Sequence, residues 1–138
     1  MRRLVVDASA LAAVVFQEPE AEAVSRRLEG AIVFAPELLK FELASVAWKK
    51  AQRRPAEAAK ILSALSIALD ERWNLTWQDV QPTDVVLTAN ATGLSVYDAS
   101  YLWLAGSLGA DLVTLDQAFS DQLSAFSSQH SAQVETDN

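Results

Sequence analysis

Short β-branched runs that alternate with longer helix-forming stretches constrain this chain more than any other feature. Leu4-Val5-Val6, Ala31-Ile32-Val33-Phe34-Ala35, Leu75-Thr76-Trp77 and the run from Ala110 to Asp116 read as strands. Helices are expected at residues 8–16, from Pro19 to about residue 28 with Gly30 behind it, and from Pro36 to about residue 54. Further helices run from Pro55 to about residue 72, from Pro82 to about residue 91, and from the Ser95 region to Leu108, closed by Gly109. A short one follows at about 117–126. Strands separated by helices imply right-handed βαβ units and a largely parallel sheet covered on both faces. In such sheets ligands gather beyond the carboxyl ends of the strands.

A chain of 138 residues suits one domain, placed here at residues 1–126. Residues 127–138 form a polar tail in which Ala132-Gln133-Val134 offers a short edge strand. With no cysteine, disulfides and thiolate chemistry are excluded, and the single histidine, His130, lies in that tail, away from any multi-histidine metal site. Met1-Arg2-Arg3 precedes an apolar run that meets Asp7 after three residues, and no apolar stretch approaches the roughly 20 residues that span a bilayer. A soluble cytoplasmic protein is expected, with carboxylates carrying any strong chemistry.

Two acids fall where the sheet rule points. Asp7 ends the first strand and Asp116 the fourth, each with a hydroxyl two positions away, Ser9 and Thr114. Glu42 sits within Leu38-Leu39-Lys40-Phe41-Glu42-Leu43-Ala44, and Asp98 opens the apolar helix Tyr97-Asp98-Ala99-Ser100-Tyr101-Leu102. Each has a plainer reading: a helix N-cap for Asp7, Asp98 and Asp116, a solvated helix residue for Glu42. If the four converge, two charges about 5 Å apart repel by about 3 kcal/mol at an effective dielectric near 20, so the cluster needs protons or a cation. All-oxygen ligands favour Mg²⁺ or Mn²⁺, and such a site suits phosphodiester hydrolysis.

The run Val5-Val6-Asp7-Ala8-Ser9-Ala10-Leu11, the segment from Pro36-Glu37-Leu38 to Glu42, the helix start Tyr97-Asp98-Ala99-Ser100-Tyr101, and Gly109 through Asp116 followed by Phe119 resemble the PIN domain. More narrowly, they resemble the VapC toxins of toxin–antitoxin pairs, over residues 3 to about 126. The resemblance implies a three-layer α/β/α sandwich around a mainly parallel sheet of four to five strands. It implies the toxin of a type II toxin–antitoxin system, a Mg²⁺- or Mn²⁺-dependent endoribonuclease, homodimeric and inhibited by a cognate VapB-type antitoxin. Carried over by motif, Asp7, Glu42, Asp98 and Asp116 are the catalytic acids and metal ligands, with Ser9 and Thr114 in support. Many relatives carry a further Asp or Asn shortly after the last motif Asp. Here position 119 is Phe, and the next acid is Asp121.

The formal charge of −7 argues against a nucleic-acid partner until its distribution is read. Residues 1–54 hold nine basic and seven acidic side chains, whereas residues 55–138 hold two and eleven. Lys49, Lys50, Arg53 and Arg54, with Lys60 nearby, form the densest basic cluster and are candidate contacts to an RNA backbone; a solvated helix end is the plainer account. Arg2 and Arg3 flank the first strand. Trp48, Trp73, Trp77 and Trp103 lie in apolar stretches and are expected in the core or an interface rather than stacked on bases. The expected partners are thus RNA, the antitoxin and a second copy, with no membrane and no DNA bound by this chain alone.

Other functions fit less well. An aspartyl-phosphate phosphatase with Asp7 as nucleophile commonly wants a second Asp two residues later, where this chain has Ser9. A phosphoacceptor receiver domain needs a lysine after its last site strand, and none follows Lys60. A catalytically silent PIN-fold binding module is the remaining alternative.

Overall fold

The computed structural model describes residues 1–70 and 74–125. Its strands are β1 (Arg3–Val6), β2 (Ile32–Pro36), β3 (Leu75–Gln78) and β4 (Asp111–Val113), all parallel, in the order β3-β2-β1-β4. The central β1 is covered on both faces, and Leu4, Val5 and Val6 are each at most 1% exposed. That burial explains why β1 reads as an unbroken apolar run instead of an alternating one. Each such side chain contributes about 2 kcal/mol of hydrophobic stabilisation.

Six helices connect and cover the strands: α1 (Ala8–Val15), α2 (Ala21–Leu28), α3 (Leu38–Arg53), α4 (Ala58–Ala68), α5 (Pro82–Thr92) and α6 (Val96–Leu108). Residues 117–125 are helical as well. The helices fall into two groups: α1 packs on α2, α3 and α4, while α5 and α6 pack on each other, with α6 against β1, β2 and β4. The result is the expected α/β/α layering. The core runs through both groups, with Leu11, Leu39, Leu43, Tyr101, Leu104 and Phe119 among its fully buried members.

Several boundaries depart from the sequence expectation for identifiable reasons. Pro36 closes β2 instead of opening a helix; it is fully buried and pairs with Gln78, and α3 starts two residues later. Pro55 opens a single 3-10 turn, Pro55–Glu57, before α4, which ends at Ala68. The helix expected from Pro19 begins at Ala21. β4 stops at Val113 because its partner β1 ends at Val6, leaving Thr114 onward nothing to pair with. Asp116 therefore lies in the loop beyond β4. Gly109 ends α6 as expected, in the left-handed conformation at φ 61°, where a Cβ would be strained.

The proposed edge strand at 132–134, His130 and Trp73 lie outside the described residues. Among the described residues the sheet has four strands, and no helix is long and apolar enough to cross a membrane.

Candidate active site

Asp7 caps α1 and stands at the centre of a hydrogen-bond network. Immediately after β1 the chain is extended (φ −94°, ψ 176°), and Asp7 Oδ1 accepts the Ala10 N–H of α1 at 3.1 Å. The same oxygen accepts from Ser9 Oγ at 2.7 Å, and Oδ2 accepts from Thr114 Oγ1 at 2.5 Å. The side chain is only 6% exposed, so these donors replace most of its water. Each hydroxyl has one proton, spent on Asp7, so the 3.3 Å approach between Ser9 Oγ and Thr114 Oγ1 is a contact between acceptors and not a further bond.

The two hydroxyls also fix the loop after β4. Ser9 Oγ accepts the Leu115 N–H at 2.9 Å, and Thr114 Oγ1 accepts the Asp116 N–H at 3.0 Å. Asp116 Oδ1 in turn accepts the Phe119 N–H at 3.1 Å and caps the helical stretch that follows. One network thus runs from the end of β1 to the loop past β4, setting Asp116 relative to Asp7.

Asp98 lies in the first turn of α6 but does not cap it; Ser95 does, its Oγ accepting the Asp98 N–H at 3.1 Å. The Asp98 carboxylate is half-buried and has no hydrogen-bond or ion-pair partner among the described residues. A helix N-terminus ordinarily favours a negative charge. Burial nonetheless raises its pKa above the usual carboxylate range, and the charges of Asp116 and Asp7 raise it further.

Glu42 is on α3, half-buried, and accepts from the Tyr101 hydroxyl at 2.5 Å. Burial raises its pKa most, the Tyr101 bond offsets part of that, and the charges of Asp98 and Asp7 add to the rise. Tyr101 itself is held above its ordinary value, chiefly by burial and then by its bond to Glu42, so it stays a neutral donor. Sequence reasoning placed Tyr101 only as part of a motif. The available signal was its spacing, one turn after Asp98 on the same helix.

The four predicted acids therefore come from the end of β1, α3, α6 and the loop after β4 to one region, where Asp7 and Asp98 act on Glu42, and Asp7 and Asp116 on Asp98. No Lys or Arg forms an ion pair with any of them among the described residues. Nor, among those residues, do three acids close around one point tightly enough to hold an ion. The donor set, all carboxylate and hydroxyl oxygen, suits a hard divalent cation.

Of the predicted basic cluster, Lys50, Arg53, Arg54 and Lys60 line one cavity, whereas Lys49 is exposed and outside it. Trp48 is exposed, Trp77 lies under Lys40 with Nζ 4.7 Å from the ring centroid, and Trp103 packs half-buried on the core.

The PIN domain family profile matches residues 4–122. Ribonuclease VapC3 of Pyrobaculum aerophilum is 33% identical over 127 residues, covering 89% of this chain and 96% of its own. The crystal structure of PAE2754, from the same organism, superposes with a TM-score of 0.69 at 27% identity, covering 88% of this chain and 86% of that one. VapC20 of Mycobacterium tuberculosis, a toxin that cleaves the sarcin–ricin loop, shares the fold at a TM-score of 0.62 and 16% identity, over 86% of this chain and 93% of its own. On the family match over residues 4–122 and the 33% identity to a VapC ribonuclease across most of both chains, this chain belongs to the PIN domain family and, within it, to the VapC group.

Proposed function

We propose that this chain is the toxin of a type II toxin–antitoxin pair, an endoribonuclease that depends on Mg²⁺ or Mn²⁺. The observation that carries the reading is the gathering of Asp7, Glu42, Asp98 and Asp116 with no basic side chain paired to any of them among the described residues. Asp7, Asp98 and Asp116, with Glu42, would hold the cation. When bound, a hard divalent ion offsets the carboxylate charge and makes water a competent nucleophile toward a phosphodiester. The chain's own contribution is placement. Ser9 and Thr114 orient Asp7 and set the Asp116 loop, and Tyr101 holds the Glu42 carboxylate in one rotamer. The kinship to a named ribonuclease supports RNA as substrate. A cytoplasmic homodimer held inactive by a VapB-type antitoxin fits the same reading, and Lys49, Lys50, Arg53 and Arg54 are its candidate contacts to the RNA backbone.

The test is Asp98→Asn, which keeps the shape of α6 and removes a ligand charge. Metal-dependent cleavage of RNA should disappear while the circular dichroism spectrum is retained. Cleavage that persists at the wild-type rate would reject the assignment.

A further inference from the structure

We propose that a second site, distinct from the acidic cluster, takes a phosphate group at the opposite end of α1. Asp7 caps the start of that helix and Phe16 its end, so eight residues at 1.5 Å, about 12 Å, separate the two. A cavity of about 310 Å³ opens there between α1, α3 and α4, with Phe16 and Ile61 on its apolar side and Lys50, Arg53, Arg54 and Lys60 around it. Glu57 is the one carboxylate in its lining.

The four cations are not equivalent. Lys50 Nζ is fixed by Glu18 Oε1 at 2.8 Å and lies 5.7 Å from the Phe16 ring centroid, so it is a positioned wall of the cavity. Gln17 takes the left-handed conformation at φ 54° with its side-chain amide donating to Val14 O, and this turn delivers Glu18 to Lys50. Arg54 has only a long, solvent-exposed pairing with Glu57 at 3.6 Å. Arg53 and Lys60 have no acidic partner among the described residues.

Helix electrostatics account for only part of this. Lys50, Arg53 and Arg54 end α3, where cations complement the dipole. Lys60 is the third residue of α4, where the dipole opposes a cation, yet it faces the same cavity. Converging positive charge beside apolar walls raises the local potential, and a bound anion relieves the repulsion among the cations. A phosphate carried by an RNA strand and one carried by a free nucleotide share that chemistry. The RNA source rests on the function proposed above; the anion site itself does not.

The experiment uses the full chain without divalent metal, in EDTA. Its probes are 5′-AMP and, separately, a cleavage-resistant 2′-O-methylated single-stranded oligonucleotide. Binding is compared between wild type and the Arg53→Gln/Lys60→Gln double variant, both substitutions being at exposed positions. The oligonucleotide should bind at least tenfold more weakly to the variant, with a shallower salt dependence. Loss of both probes identifies a free nucleotide as sufficient, and loss of the oligonucleotide alone identifies a strand phosphate; either supports the site. Equal binding by the two proteins, or none by wild type, overturns it. Metal-dependent cleavage that fails while this binding persists overturns the nuclease reading alone.

Discussion

The Tyr101 hydroxyl donates to Glu42 Oε1 at 2.5 Å, joining α6 to α3 across 59 residues of sequence. Tyr101 is 1% exposed and Glu42 half-buried, so the bond joins a buried donor to a partly shielded carboxylate. It is also the one influence that lowers the Glu42 pKa against burial and two neighbouring charges. Tyr101→Phe keeps the ring and removes the donor. The loss of one hydrogen bond to a charged group is about 1.5–3 kcal/mol, a fall in kcat/KM of roughly ten- to 150-fold if all of it is felt in the transition state. More diagnostic is the pH–rate profile, whose acidic limb should move to higher pH because Glu42 then holds its proton longer. A profile that stays in place would show that Tyr101 only fills space.

Thr114 carries two duties with one hydroxyl, donating to Asp7 Oδ2 and accepting from the Asp116 N–H. Valine matches its shape but can do neither. Thr114→Val should lower stability by about 1–2 kcal/mol and weaken Mn²⁺ binding, since it releases Asp116 as well as one oxygen of Asp7. Calorimetric titration with Mn²⁺ beside thermal unfolding separates the two effects. Unchanged Mn²⁺ affinity in the variant would remove Thr114 from the site.

What the sequence made legible follows from how local each determinant is. The alternation of strand and helix, and Asp7 at the end of a continuous apolar run, are local facts and appear where expected. The cap reading of Asp7 and Asp116 holds, and at Asp7 it does not compete with a site role, because Oδ1 accepts from Ala10 N–H while Oδ2 accepts from Thr114. Asp98, by contrast, is relieved of capping by Ser95, which leaves its carboxylate without a capping role. The end of β4 was not legible, since it depends on where β1 stops. Nor was the Tyr101–Glu42 bond, which exists only once α3 and α6 meet. The cavity that unites Lys60 with Arg53 likewise depends on the turn between α3 and α4.

Burial and like charge both raise the Asp98 pKa above its ordinary 3.8, and the same holds in direction for Glu42. The folded chain therefore binds more protons than the unfolded one between the ordinary and raised values. Such a contribution favours folding below the ordinary pKa and turns unfavourable as pH rises through the raised one. Without metal, Asp98→Asn should melt higher than wild type at neutral pH, by a few degrees on the usual scaling for this size. The gap should vanish below the ordinary carboxylate range, and added Mg²⁺ should narrow it from the wild-type side. A gap that is constant with pH would mean that Asp98 does not titrate as described.

Phe119 and Asp121 take different parts in the helical stretch after Asp116. Phe119 is 1% exposed and part of the core, and its N–H donates to Asp116. Its ring anchors the helical stretch that Asp116 caps. Phe119→Ala should destabilise the fold by about 3–5 kcal/mol, the range for emptying a buried aromatic site, and reduce cleavage through the misplaced Asp116. Asp121 is exposed, with Oδ1 accepting from Gln117 Nε2 at 2.8 Å one turn back, and it has no bond to the Asp7 network among the described residues. Asp121→Asn should leave cleavage within about twofold of wild type and stability within about 0.5 kcal/mol. Measured side by side, the two variants assign this segment to packing. A large loss of cleavage in Asp121→Asn at unchanged stability would assign it to the metal site instead.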